Sequence, residues 1–348
     1  MERIMKYTMP PFLFLIILGV CLLPSCHQRK IRSDTVTSGI AQMAVDESFA
    51  PIIEAGINVF ESLNPDAAII PVYTSGQNAY NLLMEDSIRL LIGTRLLTDQ
   101  EQAVIKERKQ RVRSQKIAID GIALVTHKQN KDTLLTINQI RDIVSGKTES
   151  WKQINPDSPL DSLTVVFDTP SSSMVRHIQD SLCNKLPFGK NVKALSSDSS
   201  SVDITRVNSH GKVIEYVASH PNALGFVGLN WIANPVDTTN LSFIDNVNIV
   251  AVSSVTQATP NNSHKPYPYQ LALELAHRES PLEFPTGGYP LIRDIYIIIT
   301  DASGGLPSGF FNFIAGDRGQ RIILKSGILP ANRPIRLIQR TENPKIHN

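Results

Sequence analysis

Hydrophobic positions from residue 39 onward alternate between short runs of period two and longer stretches of helical period. Gly39 to Val45 reads as a strand and Ser48 to Leu63 as a helix. Ala67 to Thr74 is a second strand, Ala79 to Glu85 a helix and Arg89 to Gly93 a third strand. Thr98-Asp99-Gln100-Glu101 is a capping box that opens a helix to about Arg111. This order predicts a parallel sheet with helices on both faces. Lys116 to Thr126 is one long strand, and helices follow over Thr136 to Ser145 and around Glu149 to Ile154. Leu163 to Phe167 is a strand feeding Ser171-Ser172-Ser173 and a helix to Leu182. Ser196 to Val202 reads as a serine-rich loop, Gly211 to Ser219 as a helix, and Ala223 to Val227 and Ile249 to Ser253 as strands. Thr256 to Ser280 carries little regular pattern. Tyr289 to Thr300 is a strongly apolar strand, and Ser308 caps a final helix through Leu324 that Gly327 ends.

The elements group into one αβ run, a second, and a short return that has too few elements to stand alone. The return completes the first run. The chain of 348 residues also exceeds what a single core fills. The expected organisation is therefore an α/β fold of two lobes, residues 39–117 with 286–340 and residues 118–285, each a mainly parallel sheet flanked by helices. Two crossings, near Ala118 and Leu291, make a hinge beside a cleft.

The N-terminus changes the picture. Glu2, Arg3 and Lys6 precede an almost wholly apolar run from Pro11 to Leu23. Roughly 13 apolar residues are too few to span a membrane but suit a signal peptide. Leu22-Leu23-Pro24-Ser25-Cys26 follows and resembles the lipobox of bacterial lipoproteins. Residues 1–25 read as the signal, Cys26 as the lipidated first residue and 26–38 as a polar tether. Cleavage removes Glu2, Arg3 and Lys6, so net charge falls from +2 to +1. Near-neutrality gives no long-range field for nucleic acid. Of the three cysteines only Cys183 would remain as a free thiol, so no internal disulfide can form.

Three strand ends carry candidate chemistry. Ser48-Phe49-Ala50-Pro51, Ser75-Gly76-Gln77-Asn78 and Ser171-Ser172-Ser173 each open a helix directly after a strand. Free backbone N–H groups, the helix dipole and a hydroxyl suit an oxyanion. In parallel α/β sheets these ends gather at the carboxyl edge, where ligands bind. Each serine could equally be a plain N-cap; three of them spread over both lobes favour a ligand. The histidines show no metal spacing, and no cofactor is expected.

These loops resemble the phosphate-binding proteins of bacterial ATP-binding-cassette phosphate importers, a periplasmic-binding-protein family of type II fold, and most closely its Bacteroidetes lipoproteins. The likeness extends from Val45-Asp46-Glu47-Ser48-Phe49-Ala50-Pro51 through Ser75-Gly76-Gln77-Asn78, Ile92-Gly93-Thr94-Arg95-Leu96-Leu97 and Thr169-Pro170-Ser171-Ser172-Ser173. It continues through Asn222 to Val227, Tyr289-Pro290-Leu291 and the ending Gly319 to Pro330. The resemblance implies ligand contacts from Ser48, Phe49, Ser75, Gly76, Thr94, Arg95, Ser171, Ser172 and Ser173. It also implies an inner-membrane permease as partner, a monomer in the periplasm and inorganic phosphate as the ligand. Sulfate and molybdate remain open alternatives, as does a surface lipoprotein without ligand. The family's aspartate and arginine are missing at their expected places, where Thr94 and Phe167 stand. Asp46 is then the nearest candidate acceptor and Arg95 the nearest cation. A carboxylate acceptor would favour protonated phosphate over sulfate. A serine hydrolase is disfavoured, because no Gly-x-Ser-x-Gly elbow is present; a Ser173–His177 pair is the one conceivable exception.

Overall fold

The computed structural model describes residues 34–196, 209–234, 236–237, 242–300 and 304–332. The signal, Cys26 and most of the tether lie outside them. The strands are β1 (Gly39–Asp46), β2 (Ala67–Thr74), β3 (Leu90–Gly93), β4 (Arg113–Thr126), β5 (Leu134–Thr136), β6 (Thr164–Phe167), β7 (Val192–Ala194), β8 (Ala223–Gly228), β9 (Asn248–Ile249), β10 (Ala251–Ser253), β11 (Ile292–Ile299) and β12 (Leu329–Pro330). The α-helices are α1 (Ala50–Leu63), α2 (Gly76–Met84), α3 (Asp99–Glu107), α4 (Ile137–Val144), α5 (Ser173–Leu182), α6 (Ser209–Ser219), α7 (Pro268–Glu279), α8 (Leu306–Ala315) and α9 (Asp317–Lys325).

One mixed sheet runs through the molecule in the order β2-β1-β3-β11-β4-β8-β6-β7. Its flanks are parallel: β2, β1 and β3 on one side, β8, β6 and β7 on the other. The centre is antiparallel, because β11 pairs with both β3 and β4 in that sense and β4 pairs with β8 likewise. β4 changes partner between Gly121, opposite Ile292, and Ile122, opposite Gly228. Ile122 N–H donates to Leu291 C=O at 2.8 Å at that exchange. The α/β expectation holds, with an antiparallel seam between the two parallel flanks.

Separate cores lie on either side of the seam. One packs α1, α8 and α9 onto β1, β2, β3 and β11, through Phe49, Phe60, Phe310 and the isoleucines of β11. A smaller cluster around Tyr80, Leu83 and Ile105 covers the opposite face. The largest surrounds the second half of β4 with α4, α5, α6 and Trp151. Every residue of β4 from Ile117 to Thr126 is buried, so the strand reads as a continuous apolar run rather than as an alternation.

Local chemistry explains most element ends. The Thr98 capping box is present, with Glu101 reaching back to the Thr98 N–H at 2.8 Å. Gly327, at φ +80°, ends α9 in a left-handed turn that only glycine adopts cheaply. Three expectations change. The segment without regular pattern contains α7, which starts with Pro268 in its first turn. The single final helix is two, α8 and α9, broken at Gly316, and α8 begins at Gly305 rather than with a Ser308 cap. The end of the expected tether, residues 34–38, is a turn closed by Thr35 N–H to Ser38 C=O at 2.9 Å. It lies so close to α8 that a Cβ on Gly309 would overlap the Val36 carbonyl.

Candidate functional site

The starts of α1, α2 and α5 come together. A Cβ placed on Gly76 would lie 2.8 Å from Ser173 Cβ and 2.9 Å from Asp46 Oδ2. The first loop, from β1, and the third, from β6, thus meet at the second. The serines do not share one role. Ser75 and Ser172 are N-caps, accepting from Asn78 N–H at 3.5 Å and Val175 N–H at 3.2 Å. Ser48 and Ser173 are not. Ser48 Oγ lies 3.1 Å from His210 Nε2, and Ser173 Oγ accepts from Arg293 Nη1 at 3.0 Å. Both hydroxyls are buried with a fixed partner on one side, and each keeps its own proton to donate on the other.

His210 settles its own tautomer. Gly228 N–H donates to Nδ1 at 3.3 Å, so the ring proton sits on Nε2 and is offered to Ser48. Asp168 Oδ2 is 3.5 Å from the same nitrogen. Burial, aided by Arg293, pushes His210 down to about 3 and keeps it neutral. A neutral imidazole with Nε2 protonated cannot take the Ser48 proton, so this Ser–His–Asp grouping lacks the arrangement of a nucleophile with its base. The carbonyl of Ser48 is held too, accepting from Asn230 Nδ2 at 3.2 Å and Trp231 Nε1 at 2.8 Å.

A buried ion pair crosses the centre of the site. Arg293 on β11 and Asp120 on β4 stand opposite each other in register. Their side chains meet at 2.9 Å through Nε and 2.8 Å through Nη2. Leu229 N–H donates to the other Asp120 oxygen at 3.1 Å. The Arg293 guanidinium also lies over the Phe49 ring at 4.9 Å. Burial pushes Asp120 up and Arg293 pulls it back. Sequence reading missed this pair. The signal was available: Asp120 and Arg293 each interrupt an apolar strand, and charges in such runs need partners.

Two carboxylates at the site are less well satisfied. Asp46 accepts from Ser48 N–H at 3.1 Å through Oδ1, while its buried Oδ2 has no hydrogen-bond partner among the described residues. Asp168, fully buried, closes no well-directed hydrogen bond with either oxygen among the described residues, although the Ser172 hydroxyl and Thr169 amide lie near enough to favour its ionised form. Burial nonetheless pushes Asp168 up. Glu47, between them, is pushed up to about 7 by burial and then by Asp168 and Asp46, against the pull of Ser209 and Lys212.

Beside this buried cluster lies a cavity open to solvent, lined by Gly76, Thr94, Arg95, Ser171, Ser172 and Ser173, with Tyr80, Arg176 and His177. Six of the nine expected ligand residues line it. Ser48 and Phe49 are instead buried behind, and Ser75 caps α2. Arg95 is not a free cation. Its guanidinium meets both Glu101 oxygens at 2.7 Å and stacks on Tyr80 at 3.9 Å. At the mouth Arg176 Nη1 donates to Gln77 Oε1 at 3.1 Å, joining α5 to α2. No group of His, Cys, Asp and Glu suited to a metal ion occurs among the described residues.

Two parallel flanks joined by an antiparallel seam, with three helix starts meeting over buried polar side chains, are the architecture of the periplasmic-binding-protein class. The chain belongs to the PBP superfamily, whose domain model matches residues 32–318. It is 23% identical to the phosphate-binding protein PstS of Borreliella burgdorferi over 254 residues, 72% of this chain and 81% of that one. It is 21% identical to PstS of Staphylococcus epidermidis over 286 residues, covering 81% and 76%. Among solved structures, a Clostridium perfringens protein with bound phosphate aligns with TM-score 0.62 at 21% identity, covering 84% of this chain and 99% of that one. A phosphate transport receptor from Vibrio cholerae aligns with TM-score 0.58 at 16% identity, covering 84% and 100%. These are relatives of the family that the sequence motifs resemble, and they share its fold.

Proposed function

We propose that this protein is a solute-binding lipoprotein that captures inorganic phosphate between two lobes and delivers it to an ATP-binding-cassette import permease. The observation that carries the reading is the meeting of three helix starts around two buried serine hydroxyls, each held from behind by a fixed donor. Such hydroxyls and the helix N–H groups can satisfy an oxyanion without a full counter-charge. The lobes are residues 39–117 with 286–340 and residues 118–285, and the hinge lies where β4 changes partner. Ser48, Ser173, Gly76 and the amides of the three starts face the anion, and Asp46 Oδ2 accepts its proton. Phe49, Ser75, Thr94, Ser171 and Ser172 shape the loops around it. Arg95 braces one loop, and Arg293 supplies the positive charge at the centre. The relatives' names support phosphate over other anions, and the geometry of His210 speaks against hydrolysis.

Cys26 anchors the mature chain by lipid outside the cytoplasm, and the protein acts as a monomer. No helix among the described residues is long and apolar enough to cross a membrane. Titration calorimetry on protein stripped of ligand tests the central reading. One tight phosphate site is expected; heat with sulfate or molybdate and none with phosphate would replace the ligand. Loss of labelled-palmitate incorporation in Cys26→Ala tests the anchor.

A further inference from the structure

The edge of the sheet that points away from the three helix starts has a chemistry of its own. β1 and β3 are parallel, and β11 is antiparallel to both β3 and β4, so β1, β3 and β4 all begin at one edge. Ala44, Leu91, Ile298 and Ser114 stand in one row across them. α1 and α2 start beyond the opposite ends of β1 and β2. The segment that leads into β4 at the amino edge is Lys106-Glu107-Arg108-Lys109-Gln110-Arg111-Val112-Arg113, five cations and one acid in eight residues. All five cations are exposed, as is Arg89 just before β3.

Nearby acids do not neutralise this corner. Asp86 is engaged by Gln110 at 2.8 Å and by Arg89 at 3.2 Å. The ion pairs of the region, Arg89 with Asp86 and Arg95 with Glu101, leave Lys106, Arg108, Lys109 and Arg111 out. Arg89 and the five cations of the segment face Glu85, Asp86 and Glu107, six charges against three, while the chain without residues 1–25 stands at +1. The same edge also exposes apolar side chains, Ile40 at 72% and Val36 at 50%, with Leu63 at the end of α1. Asp34 and Asp66 are the acids on that side. Val36 and Arg113 both pack on α8, the first by its carbonyl against Gly309, the second through Asn312 Oδ1 at 3.0 Å and the Phe311 ring at 4.5 Å. The basic segment and the apolar turn therefore form one surface.

Resting on the lipid-anchor reading above, we infer that this edge, with Lys106 to Arg113 at its centre, is a docking surface for an anionic lipid bilayer. The turn packed on α8 fixes where the tether leaves the body. From Asp34 back to Cys26 are eight residues, which reach about 26–29 Å at most. A lipid on Cys26 therefore keeps this edge close to the headgroups. Each Lys or Arg within a Debye length of the bilayer, about 10 Å at 0.1 M salt, is drawn to its negative surface. Val36 and Ile40 add apolar area that enters the interface. Anionic headgroups fit the combination: the cations meet phosphates, and the apolar side chains meet the acyl boundary. The three helix starts take no part, because they lie away from this edge.

Co-sedimentation of the whole mature chain carrying Cys26→Ala with lipid vesicles separates the surface from the anchor. The vesicles are pure phosphatidylcholine, or phosphatidylcholine with about one part in four phosphatidylglycerol. Binding to the anionic vesicles at low salt is expected, about tenfold or more weaker on pure phosphatidylcholine and released by about 0.5 M salt. Lys106→Gln, Arg108→Gln, Lys109→Gln and Arg111→Gln combined are expected to weaken it about tenfold or more, with phosphate heat and melting temperature unchanged. Arg111→Gln alone, with a smaller loss in the same direction, serves if the combined variant fails to fold. No binding to anionic vesicles at low salt, equal binding to phosphatidylcholine, or binding that the combined variant leaves unchanged overturns this inference. A wild-type chain that takes up no labelled palmitate overturns the anchor reading instead, and absence of phosphate heat overturns the phosphate reading; the vesicle result is read independently of both.

Discussion

Two arginines frame the site, and they differ in nearly everything except charge. Arg95 lies in a loop at the open cavity, with its side chain 25% exposed, gripped by Glu101 and Tyr80. Arg293 lies in mid-strand with its side chain 1% exposed, locked to Asp120 and Ser173 over Phe49. Water screens the first pair and leaves the second unscreened. The position that looks like a ligand cation in sequence therefore acts as a brace, while the one hidden in an apolar strand governs the centre.

Removing each in turn is the sharpest test of that contrast. Arg293→Ala leaves Asp120 buried without a counter-charge and is expected to cost about 3–5 kcal/mol in urea denaturation. Removing both charges, Arg293→Met with Asp120→Leu, should recover most of that stability but not phosphate binding. If Arg293→Ala cost no more than Arg95→Ala, the contrast would collapse.

The serines divide along the same line. Ser48→Ala removes a hydroxyl held by His210 and is expected to weaken phosphate binding at least tenfold, from a charge-assisted hydrogen bond of about 1.5–3 kcal/mol. Ser75→Ala removes a cap and should instead lower stability by about 1 kcal/mol. Calorimetry and denaturation on the two variants separate ligand contact from capping.

Protons offer a gentler probe. His210 and His177 have folded values below the ordinary 6.5, so their contribution to stability is present above that value and is lost as pH falls toward about 3 and about 4. Glu47 works the other way. Its folded value, near 7 against an ordinary 4.5, makes stability fall as pH rises between those values. Melting temperature in Glu47→Gln should lose that decline with rising pH between 4.5 and about 7 and keep the one on acidification. The smallest effect is expected for Arg95→Ala. Loss of a partly exposed ion pair should cost under about 1 kcal/mol, and less still in high salt.

Much of the fold was legible because its signals are local. Periodicity located β1, β2, β4 and α1, and the Thr98 box and Gly327 set helix ends within a residue or two. α7 was hidden because Pro268 and the loop before it mask a helix whose apolar face is narrow; Leu271 is its one fully buried large side chain. The three starts were legible as strand-to-helix junctions. The charged pair and His210 were not, because the partners of Asp120 and Ser48 lie 173 and 162 residues away. Sequence spacing says nothing about such distances. Only register, which set Arg293 opposite Asp120, joins them.

Gly76 gives the molecule a built-in gauge of clearance. Its missing side chain leaves room for the start of α5, and a single methyl would stand 2.8 Å from Ser173 Cβ and 3.1 Å from Ser173 N. Neither atom is the end of a flexible group that could swing aside. The absence of one carbon thus sets how closely the starts of α2 and α5 can approach. Graded replacement by Ala, Ser and Val is expected to part these two helix starts step by step, a ruler read as rising radius of gyration by X-ray scattering.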